Sequence, residues 1–325
     1  LFLAVGLCVP SRAADAGAEQ SYEKAAAYVT AAVPAPSVGS IGGEWAVLGL
    51  RRGGAAVPAG YFDGYYARVE QYVKEKDGVL HARKYTEYSR VTLAVTALGK
   101  DARDVAGYDL TKPLGDYDKT VWQGINGPIW ALIALDSGDY PMPENPDAKT
   151  QATRQMYVDR ILDSQLPDGG WSLSGGGDPD LTAMALTALA RYRQQETVRE
   201  AVDRALVWLS GRQDGGGGFS SWGTANSESC AQVAAALCEL GIAQDDVRFV
   251  KNGNTVLDAL LSYQQGDGGF AHEEGGSSNQ MATEQALYAL AQLKGSGSAA
   301  AERPAPLAAV WTAVLTAVFA ARMGL

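Results

Sequence analysis

Carboxyl groups recur where the sequence predicts that helices begin, and they are side chains suited to proton transfer. Asp178 and Asp180 open a small-residue segment, Glu228 opens an alanine-rich one, and Glu284 stands early in the last repeat. A buried carboxylic acid that is held neutral can donate a proton to a substrate. The same residues also suit helix N-termini, where they cap free N–H groups and meet a favourable dipole. For each acid, catalysis and helix capping both remain open.

A glycine-rich turn recurs along the chain, near the predicted helix starts that carry these acids. Its three best copies read Gln165-Leu-Pro-Asp-Gly-Gly-Trp171, Gln213-Asp-Gly-Gly-Gly-Gly-Phe219 and Gln264-Gln-Gly-Asp-Gly-Gly-Phe270. The glycines allow positive φ and a tight reversal. The glutamine amide can satisfy free carbonyls at a helix end, and the aromatic ring can close the turn. We therefore predict a structural role for the Gln and the aromatic residue of each copy.

Apolar residues at three and four spacing predict six pairs of helices between the turns. The outer set is predicted at Tyr22 to Val33, Phe62 to Lys76, Ala102 to Tyr108, Gln151 to Gln165, Val198 to Gly211 and Thr255 to Gln265. The inner set is predicted at Gly43 to Leu50, Tyr88 to Leu98, Asn126 to Leu135, Asp180 to Tyr192, Glu228 to Leu240 and Thr283 to Leu293. The inner set is rich in Ala, Leu and Thr, as expected of helices buried on several sides.

These turns are similar to the QW repeat of squalene and oxidosqualene cyclases, and Trp208-Leu209 followed by Gln213 matches its longer form. The chain resembles the prenyltransferase/squalene-cyclase repeat superfamily from roughly Glu19 to Leu293. That resemblance implies an all-α fold, an α6/α6 toroid. The phrases NGPIWALIALDSG and ATEQALYAL resemble bacterial secreted surface proteins related in fold to transcobalamin.

The resemblance also implies a funnel at one end of the ring, lined by the starts of the inner helices. We predict ligand contacts there from seven residues, namely Trp45, Tyr88, Trp122, Asn126, Asp180, Glu228 and Glu284. The resemblance to secreted toroids favours a non-catalytic surface module that binds a corrinoid or another bulky amphipathic ligand, or a protein or cell-wall partner. We predict no cofactor and no metal.

An enzymatic alternative rests on the segment Asp178-Pro-Asp180-Leu-Thr-Ala183. It looks like the DxDDTA motif of class II terpene cyclases, whose middle Asp protonates an alkene or epoxide and corresponds to Asp180. Asp178 takes the first place of the motif, whereas Leu181 replaces its third acid. A cyclase also needs aromatic faces around a carbocation. A carbohydrate-active toroid, using two of the acids as acid and base, is a second alternative.

The ends and the composition of the chain predict its domain boundaries, its location and the partners it excludes. Residues 1–16 resemble a partial signal peptide, 17–294 the toroid, 295–306 a linker and 307–325 a transmembrane anchor. We therefore expect an exported protein anchored at the cell surface. A net charge of −10 without a basic cluster argues against nucleic acid. Cys230 and Cys238 lie too far apart along one helix to form a disulfide.

Overall fold

The computed structural model describes residues 12–299, which form a closed ring of helices. In chain order the helices are α1 (Arg12–Ala32), α2 (Trp45–Arg52), α3 (Tyr61–Glu75), α4 (Thr86–Ala97), α5 (Tyr117–Thr120), α6 (Asn126–Ser137), α7 (Arg154–Asp163), α8 (Pro179–Leu189), α9 (Glu196–Arg212), α10 (Ser227–Glu239), α11 (Val256–Ser262) and α12 (Gln280–Ala299). Two short hairpins precede α10 and α12, β1 (Ser220–Ser221) with β2 (Thr224–Ala225) and β3 (Phe270–Ala271) with β4 (Ser278–Asn279).

The even-numbered helices from α2 to α12 form the inner ring. Each contacts the next one along the chain, and α12 contacts α2, which closes the circle. In α10 every residue from Ser227 to Leu237 is buried, as expected of a helix surrounded by neighbours. Outer helix α9 instead buries one stripe that includes Val198, Ala201 and Val202. The predicted α/α toroid is therefore the observed architecture.

The third outer helix is the exception, because the prediction of a helix at Ala102 to Tyr108 is wrong. Val105 and Tyr108 instead pair across a tight reversal in which Ala106 and Gly107 have φ of 56° and 88°. Such positive φ values interrupt a right-handed helix. A 3-10 turn at Lys112–Gly115 and the single turn of α5 follow, so this sector has short turns where the others have an outer helix.

The repeated turns bind the ring together through their glutamines. The amide of Gln165 donates to the carbonyls of Gly169 in its own turn and Ala201 in α9, at 2.9 and 2.8 Å. The amide of Gln213 likewise joins Gly217 and Phe249, and that of Gln264 joins Gly268 and Ser21. Each amide therefore bridges its turn to the next outer segment rather than to the end of its own helix. The last of these bonds links the end of the ring to α1.

The aromatic residue of each turn is fully buried beneath it. Trp171, Phe219 and Phe270 are all 0% exposed. The indole of Trp171 donates to the carbonyl of Ile161 at 2.7 Å, so even its polar atom is satisfied. These rings fill the space between an outer helix and the following inner helix.

Several predictions concern the ends of the chain. The predicted leader lies largely before Arg12, where α1 begins, and α12 continues to Ala299, into the predicted linker. The predicted apolar helix at 307–325 lies outside the described residues, so the structure gives it no support. Within residues 12–299, no helix combines the length and the apolar character needed to cross a membrane.

Candidate functional site

The six inner helices all begin at the same face of the ring, which we call the mouth. Its loops are residues 37–44, 76–85, 121–125, 170–178, 220–226 and 271–279. Neighbouring loops or helix starts are joined by polar bonds at five of the six boundaries, namely Gly42 to Glu284, Arg90 to Glu44, Thr86 to Gln123, Ser221 to Asp178 and Ser227 to Ala271. Polar bonds therefore join the mouth loops everywhere except between the α6 and α8 sectors, and the predicted acids lie along this rim.

Asp178 is the N-cap of α8. One of its carboxylate oxygens accepts from the backbone N–H of Leu181 at 3.0 Å, and the other accepts from the hydroxyl of Ser221. Asn226 and Asn279 take the same position before α10 and α12. Both oxygens of Asp178 are thus engaged in holding the start of the helix and the neighbouring hairpin.

Asp180 lies two residues further, and one of its two carboxyl oxygens is not engaged by the fold. Its Oδ1 is buried and has no hydrogen-bond partner among the described residues. Burial is the main cause that raises the pKa of Asp180 to about 6, and the negative charges of Asp178 and Glu228 act in the same direction. The hydroxyl of Ser229 and the charge of His272 oppose this rise in pKa. Asp180 is therefore a carboxylic acid that holds its proton to a higher pH than an ordinary aspartate.

Glu228 occupies the position in α10 that Asp180 occupies in α8, two residues after the N-cap. It is 5% exposed, and its Oε2 lies 2.8 Å from Nδ1 of His272 and 3.2 Å from the hydroxyl of Ser227. Its Oε1 is buried without a partner among the described residues, as is Oδ1 of Asp180. The two unsatisfied carboxyl oxygens and His272 form an acid–base cluster between α8, α10 and the β3–β4 hairpin.

Glu284 does not join that cluster, because it stands five residues after its N-cap rather than two. Its carboxylate accepts from the backbone N–H of Gly42 at 2.9 Å and from the amide of Gln280 at 3.0 Å. Burial is the main cause that raises the pKa of Glu284 to about 7, and Glu44 adds to it. Glu284 therefore fastens α12 to the loop before α2, where the ring closes.

Glu44 is a buried acid that the sequence analysis missed. It is 0% exposed, pairs with Arg90 at 2.7 Å and accepts from the hydroxyl of Tyr65 at 2.9 Å. Burial raises the pKa of Glu44, while Arg90 opposes that rise. Its place just before Trp45, at the start of an inner helix, is the signal that could have identified it.

Aromatic side chains from three inner helices meet inside the ring. Trp45 of α2 packs edge to face with Trp130 of α6 and Tyr288 of α12, with centroid distances of 5.8 and 5.3 Å. Since α2 and α6 are not neighbours in the ring, the Trp45–Trp130 contact reaches across its interior. Trp45 and Trp130 thus bring two indole rings together inside the toroid, whereas the ring of Tyr288 already carries the guanidinium of Arg52 at 5.5 Å.

The remaining predicted ligand contacts are dispersed around the mouth. Tyr88 is buried beside Tyr85, and Asn126 is the first residue of α6. Trp122 is 60% exposed on the rim and carries the guanidinium of Arg83 over its ring at 5.0 Å. Of the seven predicted contacts, only Asp180 and Glu228 lie in one cluster.

A zinc site of the prenyltransferase kind would draw on Cys230 and His272. Cys230 is 0% exposed, and burial raises the pKa of its thiol to about 12, which disfavours the thiolate that binds zinc. Within residues 12–299, no group of three or more His, Cys, Asp or Glu side chains is arranged to hold a metal ion.

Comparisons with known proteins found terpene cyclases and a protein prenyltransferase to be similar to this chain. No family model matches the sequence. A drimenyl diphosphate synthase of Streptomyces showdoensis is 28% identical over 134 residues, which are 41% of this chain and 25% of that protein. The ent-copalyl diphosphate synthase of Streptomyces platensis superposes with a TM-score of 0.53 at 20% identity, covering 78% of this chain and 50% of that one.

Two further structures share the whole toroid. A type II terpene cyclase from Scytonema, in complex with merosterolic acid A, has a TM-score of 0.57 at 14% identity and covers 88% of this chain and 99% of its own. The protein geranylgeranyltransferase-I of Candida albicans gives 0.55 at 13% identity, with coverages of 86% and 91%. The fold is thus the α/α toroid of prenyltransferases and terpene cyclases. The chain spans about a quarter of the curated relative and half of the Streptomyces platensis structure.

These findings correct two predictions. The preference for a non-catalytic surface module is wrong, because the relatives found include terpene cyclases and synthases, one of them bound to a cyclised product. The prediction of an exported protein anchored in the membrane is likewise not supported by these relatives. The resemblance to transcobalamin also gains no support from the structures described above.

Proposed function

We propose that this toroid is a class II terpene cyclase module, in which Asp180 protonates an isoprenoid substrate. The observation that carries the proposal is the state of Asp180. Its Oδ1 is buried and unbonded at the mouth, and burial raises its pKa to about 6. The neighbouring Asp178, with both oxygens engaged, is a structural cap in this proposal rather than a proton donor.

The reaction begins when the carboxyl group of Asp180 transfers its proton to one carbon of an alkene. The π electrons of that alkene form the new C–H bond, and the adjacent carbon becomes a tertiary carbocation. A second alkene of the substrate attacks this carbocation and closes a ring. Water takes a proton from the final cation and an alkene is restored, while Asp180 regains one proton from solvent, so the reaction is an isomerisation with no net change in atoms.

Two groups of residues support the steps after protonation. Trp45 and Trp130 offer indole rings that stabilise positive charge while the substrate folds. The Glu228–His272 pair lies beside Asp180 and provides a route by which Asp180 regains its proton from solvent, because His272 is exposed at the rim. Leu181, in place of the third acid of the motif, leaves this pair as the polar support of the site.

The names of the relatives favour polyisoprenoid substrates. One structure of the Scytonema cyclase holds geranylgeranyl dihydroxybenzoate, and the curated relative is a drimenyl diphosphate synthase. We propose linear isoprenoids of this chemical class for the present chain. Corrinoid binding and carbohydrate chemistry are not favoured by any contact described above.

The test is product formation by the purified chain. Farnesyl diphosphate, geranylgeranyl diphosphate and a geranylgeranyl-substituted arene are incubated with the protein, and extracts are examined by gas chromatography and mass spectrometry. We expect a cyclised isomer of one substrate, and loss of at least about a hundredfold in rate for Asp180→Asn. The rate should fall as pH rises through about 6, because Asp180 must be protonated to act.

Asp203→Asn is the matched control, since Asp203 is exposed at the middle of outer helix α9. It makes the same chemical change on the outer surface of the ring, away from the mouth, and should leave the rate unaltered. A folded wild-type protein that converts none of the substrates would count against the proposal, as would a product whose rate survives Asp180→Asn.

A further inference from the structure

Two inner helices leave a single stripe of side chains partly exposed, although they are otherwise buried. In α8 the residues that are not buried are Asp180, Met184 and Thr187, and in the middle of α6 they are Trp130 and Ile133. Spacings of four and three residues place each set on one face of its helix. Each of these helices packs against an inner neighbour on both sides and an outer helix behind it, so the stripe faces the interior of the ring. Asp180 therefore faces a space inside the ring that solvent can reach.

Two indole rings cross this space on the inner side of Asp180. Trp45 of α2 and Trp130 of α6 meet with 5.8 Å between ring centroids, although α4 lies between their helices in the ring. Trp130 comes four residues after the start of α6, and Asp180 comes one residue after the start of α8. At a rise of about 1.5 Å per residue, that difference of three residues puts Trp130 roughly 5 Å further from the mouth than Asp180. The indole pair therefore lies below the acid, as seen from the mouth.

The other side of the ring interior narrows at a similar depth. Met184 of α8, Gln232 of α10 and Gln285 of α12 each come five residues after the start of their helix. The amide of Gln232 donates to the side-chain oxygen of Gln285 at 2.8 Å, which joins α10 and α12 inside the ring. Side chains from five of the six inner helices thus converge on one level. We call this level, formed by Trp45, Trp130, Met184, Gln232 and Gln285, the floor.

Tyr288 supports the indole pair from within the ring. Its ring packs edge to face on Trp45, with 5.3 Å between centroids. Its hydroxyl accepts from Nη1 of Arg52 at 3.2 Å and from the amide of Gln292 at 3.3 Å. Arg52 is the last residue of α2, and its guanidinium also lies over the ring of Tyr288. Because Tyr288 is held both at its ring and at its hydroxyl, Trp45 has a fixed neighbour and the floor is a defined part of the fold.

We propose that Trp45 and Trp130 limit the length of the isoprenoid chain that this site cyclises, so that farnesyl chains are favoured over geranylgeranyl chains. The inference rests on the proposed function, since it concerns the space in which Asp180 meets its substrate. A chain that is protonated by Asp180 must fold between the mouth and the floor. The indole pair closes that space from below, which makes Trp130 a specificity-determining residue.

The floor acts against the additional carbons of the longer chain. A geranylgeranyl chain has one isoprene unit more than a farnesyl chain. A hydrophobic pocket discriminates by about tenfold or more against a single methylene that does not fit. Replacing Trp130 by a smaller residue would join the space above the floor to the space around Ile133 below it. The additional isoprene unit would then have room inside the ring.

Substrate preference tests the proposal. The value of kcat/KM for geranylgeranyl diphosphate is divided by that for farnesyl diphosphate in the wild type, Trp130→Phe and Trp130→Ala. We expect this ratio to rise in that order, by about tenfold or more for Trp130→Ala. Trp130→Phe keeps an aromatic face for the carbocation, so a changed ratio in this variant reports on space rather than on charge. The milder variant also keeps the comparison available if the larger truncation prevents folding.

Ile133→Ala is the matched control. Ile133 follows Trp130 by three residues on the same stripe of α6, so its truncation removes volume from the same face of the helix but below the floor. The ratio should therefore remain that of the wild type. A rise for Ile133→Ala equal to that for Trp130→Ala would show that a general loosening of the ring, and not the floor, sets the preference.

Binding without turnover separates failure of this inference from failure of the proposed function. In the Asp180→Asn variant, farnesol should raise the melting temperature, and geranylgeraniol should do so only after Trp130→Ala is added. A wild type that prefers geranylgeranyl diphosphate, or a ratio that Trp130→Ala leaves unchanged, would overturn the role of the floor while the function stands.

The converse outcome is equally distinct. Absence of any cyclised product, together with stabilisation by the alcohols that depends on length and is relaxed by Trp130→Ala, would overturn the function and leave the role of the floor intact. Stabilisation by neither alcohol in either protein, or by both alcohols equally in Asp180→Asn, would overturn the role of the floor.

Discussion

Replacing Glu284 by Gln should stabilise the protein at alkaline pH. In the folded chain, burial raises the pKa of Glu284 from 4.5 to about 7, so folding favours its neutral form. In the unfolded chain the carboxyl ionises at its ordinary pKa. Between these two values the unfolded state binds fewer protons, and the free energy of unfolding therefore falls as pH rises. Below pH 4.5 this group contributes no pH dependence.

The size of the effect follows from the shift in pKa. A rise from 4.5 to about 7 corresponds to roughly 3 kcal/mol, at about 1.4 kcal/mol per unit. The amide oxygen introduced by Glu284→Gln can still accept from Gly42 and Gln280, which both donate to Oε1 of the wild-type side chain. The contribution of these bonds to the ionised form is already contained in the net shift in pKa. We therefore expect the Glu284→Gln variant to be about 3 kcal/mol more stable than the wild type at pH 8.

Urea unfolding at pH 4.5 and pH 8 measures this difference directly. The wild type and the Glu284→Gln variant should differ little at the lower pH, diverge between pH 4.5 and about 7, and keep a constant difference above that. Glu200→Gln, at an exposed position of α9, is the control and should follow the wild type at both values. If the Glu284→Gln variant were the less stable protein at the higher pH, the carboxylate would be a favourable anchor for Gly42, and the reasoning from burial would be refuted.

Two further predictions concern the turns that hold the ring. Gln264→Ala removes the amide that joins Gly268 to Ser21 of α1, and we expect the free energy of unfolding to fall by about 1–3 kcal/mol. The control is Gln194→Ala, at an exposed position before α9, which should cost less than half of that. Trp171→Phe keeps a buried ring but leaves the carbonyl of Ile161 without its indole donor. Thermal unfolding should therefore show a free energy of unfolding that is lower by about 1–3 kcal/mol. An unchanged melting temperature would show that this bond contributes nothing.

The architecture can be predicted from the sequence because each repeat is formed by residues that are close together along the chain. Each Gln–Gly–aromatic turn and each stripe of apolar residues is specified by neighbouring residues, and six inner segments of this kind favour a closed ring. The capping role of Asp178 is equally readable, since an Asp before Pro and a helix is a common start. The helix predicted at Ala102 to Tyr108 is wrong because the φ reversal at Ala106 is stabilised by tertiary contacts, among them the hydroxyl of Tyr140 with the N–H of Ala102.

The functional assignment from the sequence is wrong for a different reason. Residue types show that Asp180, Glu228 and Glu284 begin inner helices, but helix starts alone do not separate a cap from an acid. That distinction depends on which oxygen is already bonded and which is buried unbonded, and these facts belong to the packed ring. Without these facts, the segments that resemble secreted toroids favour a surface module. The motif at Asp178 and Asp180 then argues only weakly for an enzyme, because it lacks its third carboxylate.

The sequence by itself determined the repeat, its turns and the positions of the acids along the chain, because each depends on residues within a few turns of one another. Only the tertiary structure decided that Glu228 pairs with His272 near Asp180, that Glu284 pairs instead with the loop at Gly42, and that Trp45 meets Trp130 across the ring. Those partners are far apart in sequence. Their distances, burial and pKa shifts arise when the ring closes and water is excluded between its helices.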